Sequence, residues 1–74
     1  MKVKFLELFA ETIEAETPLS LEMNLRDLDG WDSLAILSIT SMVEDEYGVV
    51  IGQKDLKNMV TIGDIVNFIT KSMG

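Results

Sequence analysis

Polar and apolar positions along this chain fall into blocks with a helical repeat, separated by segments without one. Phe5, Leu6, Phe9, Ala10 and Ile13 recur at helical spacing, with Glu7, Glu11 and Glu14 on the opposite side. The pattern predicts a first amphipathic helix that ends before Thr17-Pro18. The next segment, "TPLSLEMNLRDLDG", has leucines at 19, 21, 25 and 28 but sustains no helical face. It is too apolar for a free linker, so a long ordered loop is expected, with its leucines packed on the domain. Asp32 then offers an N-cap, and Ser33 takes the first helical position. That helix should continue to about Tyr47, where Gly48 supplies a stop. After "VVIG", the piece "QKDLKNM" accommodates only a short helix. Thr61 with Asp64 approximates a capping box, Asp standing in for the usual Glu or Gln. A last helix should follow, with Ile62, Ile65, Val66, Ile69 and Met73 on one face. The expected fold is all-α, a small bundle of three main helices plus one short helix, with a long ordered loop between the first and second helices.

The second helix has two apolar sides where a bundle needs one. On a wheel at ~100° per residue, Ile36, Ile39, Thr40, Val43 and Tyr47 gather on one side, the expected core face. Leu34, Leu37, Ser38, Ser41 and Asp45 gather opposite. Single exposed leucines are common on protein surfaces. Two beside a helix-start serine, with acidic residues around them, make a better docking surface. Glu44, Asp45 and Glu46 extend that surface toward the helix end, where acidic charge opposes the helix dipole. Local stability does not favour them there, which points to another role.

Composition narrows the chemistry. With 74 residues, 47% of them hydrophobic, the chain is long enough for one small domain with a core of its own. It has no cysteine, hence no disulfide, no thiolate nucleophile and no zinc-thiolate site, which is compatible with the expected cytoplasmic location. Six basic against thirteen acidic residues give a net charge of −7, which argues against nucleic acid as a partner. Every charged residue between Lys4 and Arg26, and again between Arg26 and Lys54, is acidic. Such a surface either keeps the protein soluble or steers basic partners onto one face. The N-terminal "MKVKFLELFAETIEAE" opens like a signal peptide, but Glu7 and Glu11 interrupt it and no small-residue cleavage site follows. No stretch approaches the length of a membrane span.

Ser33, in "LDGWDSLAIL", remains to be explained as a cap, a nucleophile or an attachment point. A Ser-His-Asp triad is impossible without histidine, and the serine lacks the glycine that must follow it in a G-x-S-x-G elbow. There is no S-x-x-K motif, although geometry alone does not exclude a serine–lysine pair. Asp27, Asp29 and Gly30 hint at a calcium loop, but Trp31 occupies the fifth position and the glycine comes too early. Neither a metal site nor catalysis by this chain alone is expected. As a cap Ser33 duplicates Asp32. As an attachment point it stands at a helix start, next to an acid and a hydrophobic patch.

"GWDSL", followed by a helix ending in "VEDEYGVVI", then a short helix and "TIGDIVNFI", resembles the acyl carrier proteins and related thiotemplate carrier domains. The resemblance covers most of the chain and is strongest from Leu25 to Ile69. It implies that Ser33 carries a 4′-phosphopantetheine arm, making the chain a phosphoprotein. A phosphopantetheinyl transferase would transfer the arm from coenzyme A with magnesium. The arm's thiol would hold acyl groups as thioesters, and the chain would be a non-catalytic carrier that presents them to acyl-loading, acyl-transfer or condensing enzymes. By the same resemblance, Asp32, Leu34, Leu37, Glu44 and Asp45 would meet the transferase and later partners. An acyl chain slipping between the second and third helices would meet Ile36, Val43, Ile51, Leu56 and Met59, residues that serve equally well as ordinary core.

Ala35 and Ser38 stand where fatty-acid-synthesis carriers often have acidic residues, Ser41 at a frequently apolar docking position, and Gly52 where proline is common. These departures widen the expected role from fatty-acid to polyketide or other specialised lipid biosynthesis. The alternatives are an aminoacyl or peptidyl carrier, or a helical adaptor that uses the Leu34/Leu37 face and carries nothing. The remaining expectations are one free-standing carrier domain over residues 1–74, monomeric and without stable membrane insertion.

Overall fold

The computed structural model describes residues 2–73, so both ends of the expected domain, Met1 and Gly74, lie outside the described residues. Four α-helices follow one another: α1 (Lys2–Thr12), α2 (Ser33–Tyr47), α3 (Gln53–Lys57) and α4 (Ile62–Met73). A single 3₁₀ turn, Leu25–Asp27, lies in the connection between α1 and α2. The fold is the expected small helical bundle, with three main helices and one short one.

α1 stops earlier than Thr17-Pro18 because its end is tied off locally. Glu14 adopts a left-handed backbone, φ 54°. The Ala15 N–H donates to the Ala10 carbonyl at 2.9 Å and the Glu14 N–H to that of Glu11 at 3.2 Å. This pair of bonds is a Schellman closure, with Glu14 in the place glycine usually takes. α2 ends in the expected way: Gly48, at φ 66°, donates its N–H to the Glu44 carbonyl. In the Val49-Val50-Ile51 connection burial alternates, with Val49 and Ile51 buried and Val50 exposed.

α1 and α2 pack antiparallel, as their ring contacts require. Phe5, near the start of α1, meets Tyr47 at the end of α2 with centroids 6.1 Å apart. Phe9 stacks on Trp31, just before α2, at 5.9 Å. The C-terminal end of α1 therefore lies at the Ser33 end of the bundle. Phe5 and Phe9 join Ile36, Ile39 and Val43 of α2, Leu56 of α3 and Ile62, Ile65, Val66 and Ile69 of α4 in one core. No polar residue is buried among the described residues. Met73, expected on the inner face of α4, is instead exposed, because the last turn runs beyond the core that ends at Ile69. Phe68 packs against that core from the side of the expected stripe.

The long loop is ordered and its leucines pack inward. Leu25 is buried, while Leu19, Leu21 and Leu28 are partly buried against the core. Backbone bonds fasten it to the start of α4: Leu25 N–H to Val60 O at 2.8 Å, Ile62 N–H to Met23 O at 3.1 Å and Gly63 N–H to Leu21 O at 2.8 Å. A Cβ on Gly63 would come within 3.1 Å of that Leu21 oxygen, so glycine permits the close approach. The Thr61/Asp64 capping box forms in both directions. The Asp64 N–H donates to Thr61 Oγ1 at 3.2 Å, and Asp64 Oδ2 accepts from the Thr61 and Val60 N–H groups at 3.0 and 2.9 Å. Those two backbone donors, Thr61 first, hold the Asp64 carboxyl below its ordinary pKa.

Candidate functional site

Ser33 owes its position to the residues before it. Gly30 turns the chain with a positive φ of 74°, and the Trp31 N–H closes onto the Leu28 carbonyl at 3.3 Å. The stacking of Trp31 on Phe9 then pins the entry to α2. Asp32 is extended and caps the helix, its Oδ1 accepting from the Ala35 N–H at 2.9 Å. Its carbonyl takes the first intrahelical bond, from the Ile36 N–H. With the cap supplied by Asp32, Ser33 stands exposed in the first turn with its hydroxyl free of any capping role.

These surroundings suit a phosphodiester on Ser33. An exposed primary hydroxyl gives an attacking group access, and the first N–H groups of a 15-residue helix lack intrahelical acceptors and favour negative charge nearby. The neighbouring Asp32 carboxylate opposes it, with one oxygen engaged in the cap bond. Cysteine is absent, so a thioester carried here needs a thiol from an attached group.

The outer face of α2 is open. Leu34 is 71% exposed and Leu37 47%, while Ile39 and Val43 on the other side are fully buried. Glu44, Asp45 and Glu46 are exposed along the last turns. A shallow groove of about 470 Å³ crosses this face, with Leu37, Ser38, Ser41, Met42 and Asp45 along it and Thr12 of α1 at its side. It brings together Leu37 and Asp45 of the anticipated partner residues, whereas Asp32, Leu34 and Glu44 stand outside it. Met42 and Thr12 escaped the sequence reading. Met42 follows Ser38 by four residues and precedes Asp45 by three, a spacing that could have placed it there. Thr12 comes from another helix and had no such signal.

Four of the five acyl-pocket candidates, Ile36, Val43, Ile51 and Leu56, are at most 7% exposed and belong to the packed core. Met59 is partly buried against it. A larger cavity, about 540 Å³, lies elsewhere, between the end of α1 and the long loop. None of the five lines it. No helix of the described residues is long and apolar enough to cross a membrane.

The model of the phosphopantetheine attachment site family matches residues 3–69. The chain is 37% identical over 59 residues to an acyl carrier protein of Thermotoga maritima, an alignment covering 80% of this chain and 73% of that protein. It is 35% identical over 65 residues to an acyl carrier protein of Beutenbergia cavernae, covering 81% and 79% of the two chains. Identity to the meromycolate extension acyl carrier protein of Mycobacterium leprae is 47% over 45 residues, 61% of this chain but 38% of that one. With the helical bundle and an exposed serine opening its second helix, these matches establish that the chain belongs to the acyl carrier protein family, whose cofactor is a covalently attached 4′-phosphopantetheine.

Proposed function

We propose that Ser33 is the attachment point and that the chain holds acyl intermediates as thioesters for partner enzymes of fatty-acid, polyketide or related lipid biosynthesis. The observation that carries this reading is an exposed serine at a helix start whose capping has been taken over by its neighbour. The attached arm supplies the thiol. The chain's own residues do the rest: Asp32 holds the first turn, Trp31 fixes its direction, and Leu34 and Leu37 offer apolar contact beside Ser33. Asp32, Glu44 and Asp45 add charge for basic partners, first of all the phosphopantetheinyl transferase. The chain contributes no catalytic group and works as a monomer in the cytoplasm. The name of the mycobacterial relative supports lipid chain extension as the pathway class.

The test is the intact mass of the protein before and after incubation with coenzyme A, magnesium and a broad-specificity transferase. Wild type should gain one phosphopantetheine, and Ser33→Ala should gain none while keeping its helical circular dichroism. A gain that persists in Ser33→Ala would move the site elsewhere. No gain in folded, initially unmodified wild type would favour an adaptor that uses the Leu34/Leu37 face.

A further inference from the structure

We propose that the cavity between the end of α1 and the long loop is a second docking site, and that it takes an arginine side chain presented by a partner enzyme seated on the outer face of α2. The inference rests on Ser33 being the place where partners work.

Three observations carry it. First, α2 is uncharged where a partner must sit to reach Ser33. No charged side chain occurs from Ser33 to Val43. The run of Glu44, Asp45 and Glu46 begins eleven residues after Ser33, about 16 Å along a helix. The cavity supplies charge at the near end instead. Exposed Glu14, Glu16, Asp27 and Asp29 stand around it, and among the described residues no lysine or arginine lines it. The antiparallel packing of α1 on α2 puts that acidic rim at the Ser33 end of the bundle.

Second, the cavity adjoins the groove on α2. Thr12 stands at the side of that groove and Ile13 lines the cavity. The two hollows therefore meet at consecutive residues, whose Cα atoms lie ~3.8 Å apart. A partner lying along the groove needs only one long side chain to reach across the end of α1.

Third, the lining suits one side chain better than the others. Half-buried Ile13, Leu19, Met23 and Leu28 form an apolar floor beneath the carboxylates, in a space of about 540 Å³. Arginine has an apolar stem for that floor and a planar, weakly hydrated guanidinium whose fork bonds carboxylates. The compact ammonium of lysine is more strongly hydrated and gives up more on leaving water. An aliphatic side chain leaves the rim unanswered, and an acidic one meets like charge.

The experiment titrates the ¹⁵N-labelled, unmodified chain, so loading plays no part in it and the attachment site is judged separately, by intact mass. The probes are a capped helical peptide of alanine, leucine and glutamine with a single arginine, the same peptide with glutamine in place of that arginine, and n-butylguanidinium alone. The arginine peptide should shift the amides of Ile13, Glu14, Thr17, Leu28 and Asp29 together with those of Leu37, Ser38 and Met42. It should saturate at a concentration about tenfold below that of the glutamine peptide, the worth of one charge-assisted contact. Shifts confined to α2, or equal binding of the two peptides, would overturn the proposal. Butylguanidinium binding the cavity as tightly as the arginine peptide would make the occupant a free small cation and overturn partner docking. Glu14→Gly with Asp29→Asn then removes two exposed carboxylates, and glycine suits the left-handed backbone at position 14, φ 54°. The double variant should bind both peptides equally. A preference for arginine that survives in it would overturn the assignment of the contact to this rim.

Discussion

Ile39 and Leu37 stand two residues apart on α2, and their environments are opposite. Ile39 is fully buried among the side chains of the bundle, whereas Leu37 is 47% exposed on the far side with Asp45 beside the same groove. Both are branched aliphatic residues of similar size, so hydrophobicity does not separate their roles. Angle around the helix does. The inner row of Ile36, Ile39 and Val43 holds the domain together. The outer row of Leu34 and Leu37 leaves apolar surface exposed that the core does not use, which is why it is proposed as a surface for other proteins.

Substitution on each face should break that contrast if it is wrong. The largest effect is expected from Ile39→Ala, which removes a fully buried side chain and should cost about 2–5 kcal/mol. That is comparable with the whole stability of a small domain, so thermal denaturation should show a severely lowered or lost transition. A mild loss would mean that the inner row is not the core. Leu37→Ala should shift stability by no more than about 0.5 kcal/mol while weakening binding to the phosphopantetheinyl transferase, measured by titration calorimetry. A large drop in Tm would place Leu37 in the core and undo the comparison. Binding by wild type should also weaken as salt rises, since charges on this face are screened over about 8 Å at physiological ionic strength.

The smallest effect sharpens the inner face instead of breaking it. Tyr47 puts its ring against Phe5, but its buried hydroxyl has no hydrogen-bond partner among the described residues. Tyr47→Phe should therefore be neutral or stabilising, by about 1 kcal/mol at most, since an unsatisfied buried polar group is removed with little change of shape. Burial, and then the neighbouring Glu46 carboxylate, raises the Tyr47 pKa above 10.0. The folded state thus keeps its proton when the unfolded chain has lost it, so stability falls as the pH rises past 10.0, through the raised folded value. Denaturant titrations at pH 9 and pH 11 should show this loss in wild type and a smaller one in Tyr47→Phe. An identical loss in both would remove Tyr47 as its source.

Much of this arrangement was legible because it is local. The Asp32 cap, the Gly48 stop and the Thr61/Asp64 box depend on residues within one turn of each other, and each formed where the sequence placed it. The two faces of α2 followed from periodicity for the same reason. Met73 continued a helical stripe that periodicity had no means of ending, since the extent of the core depends on what packs opposite. The end of α1 falls before Thr17-Pro18 as expected, but its position at Thr12 was hidden because Glu14 is not a residue whose identity signals a left-handed turn.

By itself, the amino-acid sequence determined the order of the helices, the inner and outer faces of α2, and the placing of a serine next to a better cap. All of these arise from neighbours along the chain, where 3.6-residue geometry and backbone hydrogen bonding leave few choices. Only the tertiary structure decided how the elements meet. The Phe9–Trp31 stack brings the end of α1 to the Ser33 end of the bundle, and the loop's backbone bonds to the start of α4 hold Leu21, Met23 and Leu25 in place. Those contacts join residues far apart in sequence, and no periodic pattern encodes which of several apolar surfaces will close on each other and where they leave space. The groove shared by Thr12 and Met42, and the cavity beside Asp29, exist for that reason.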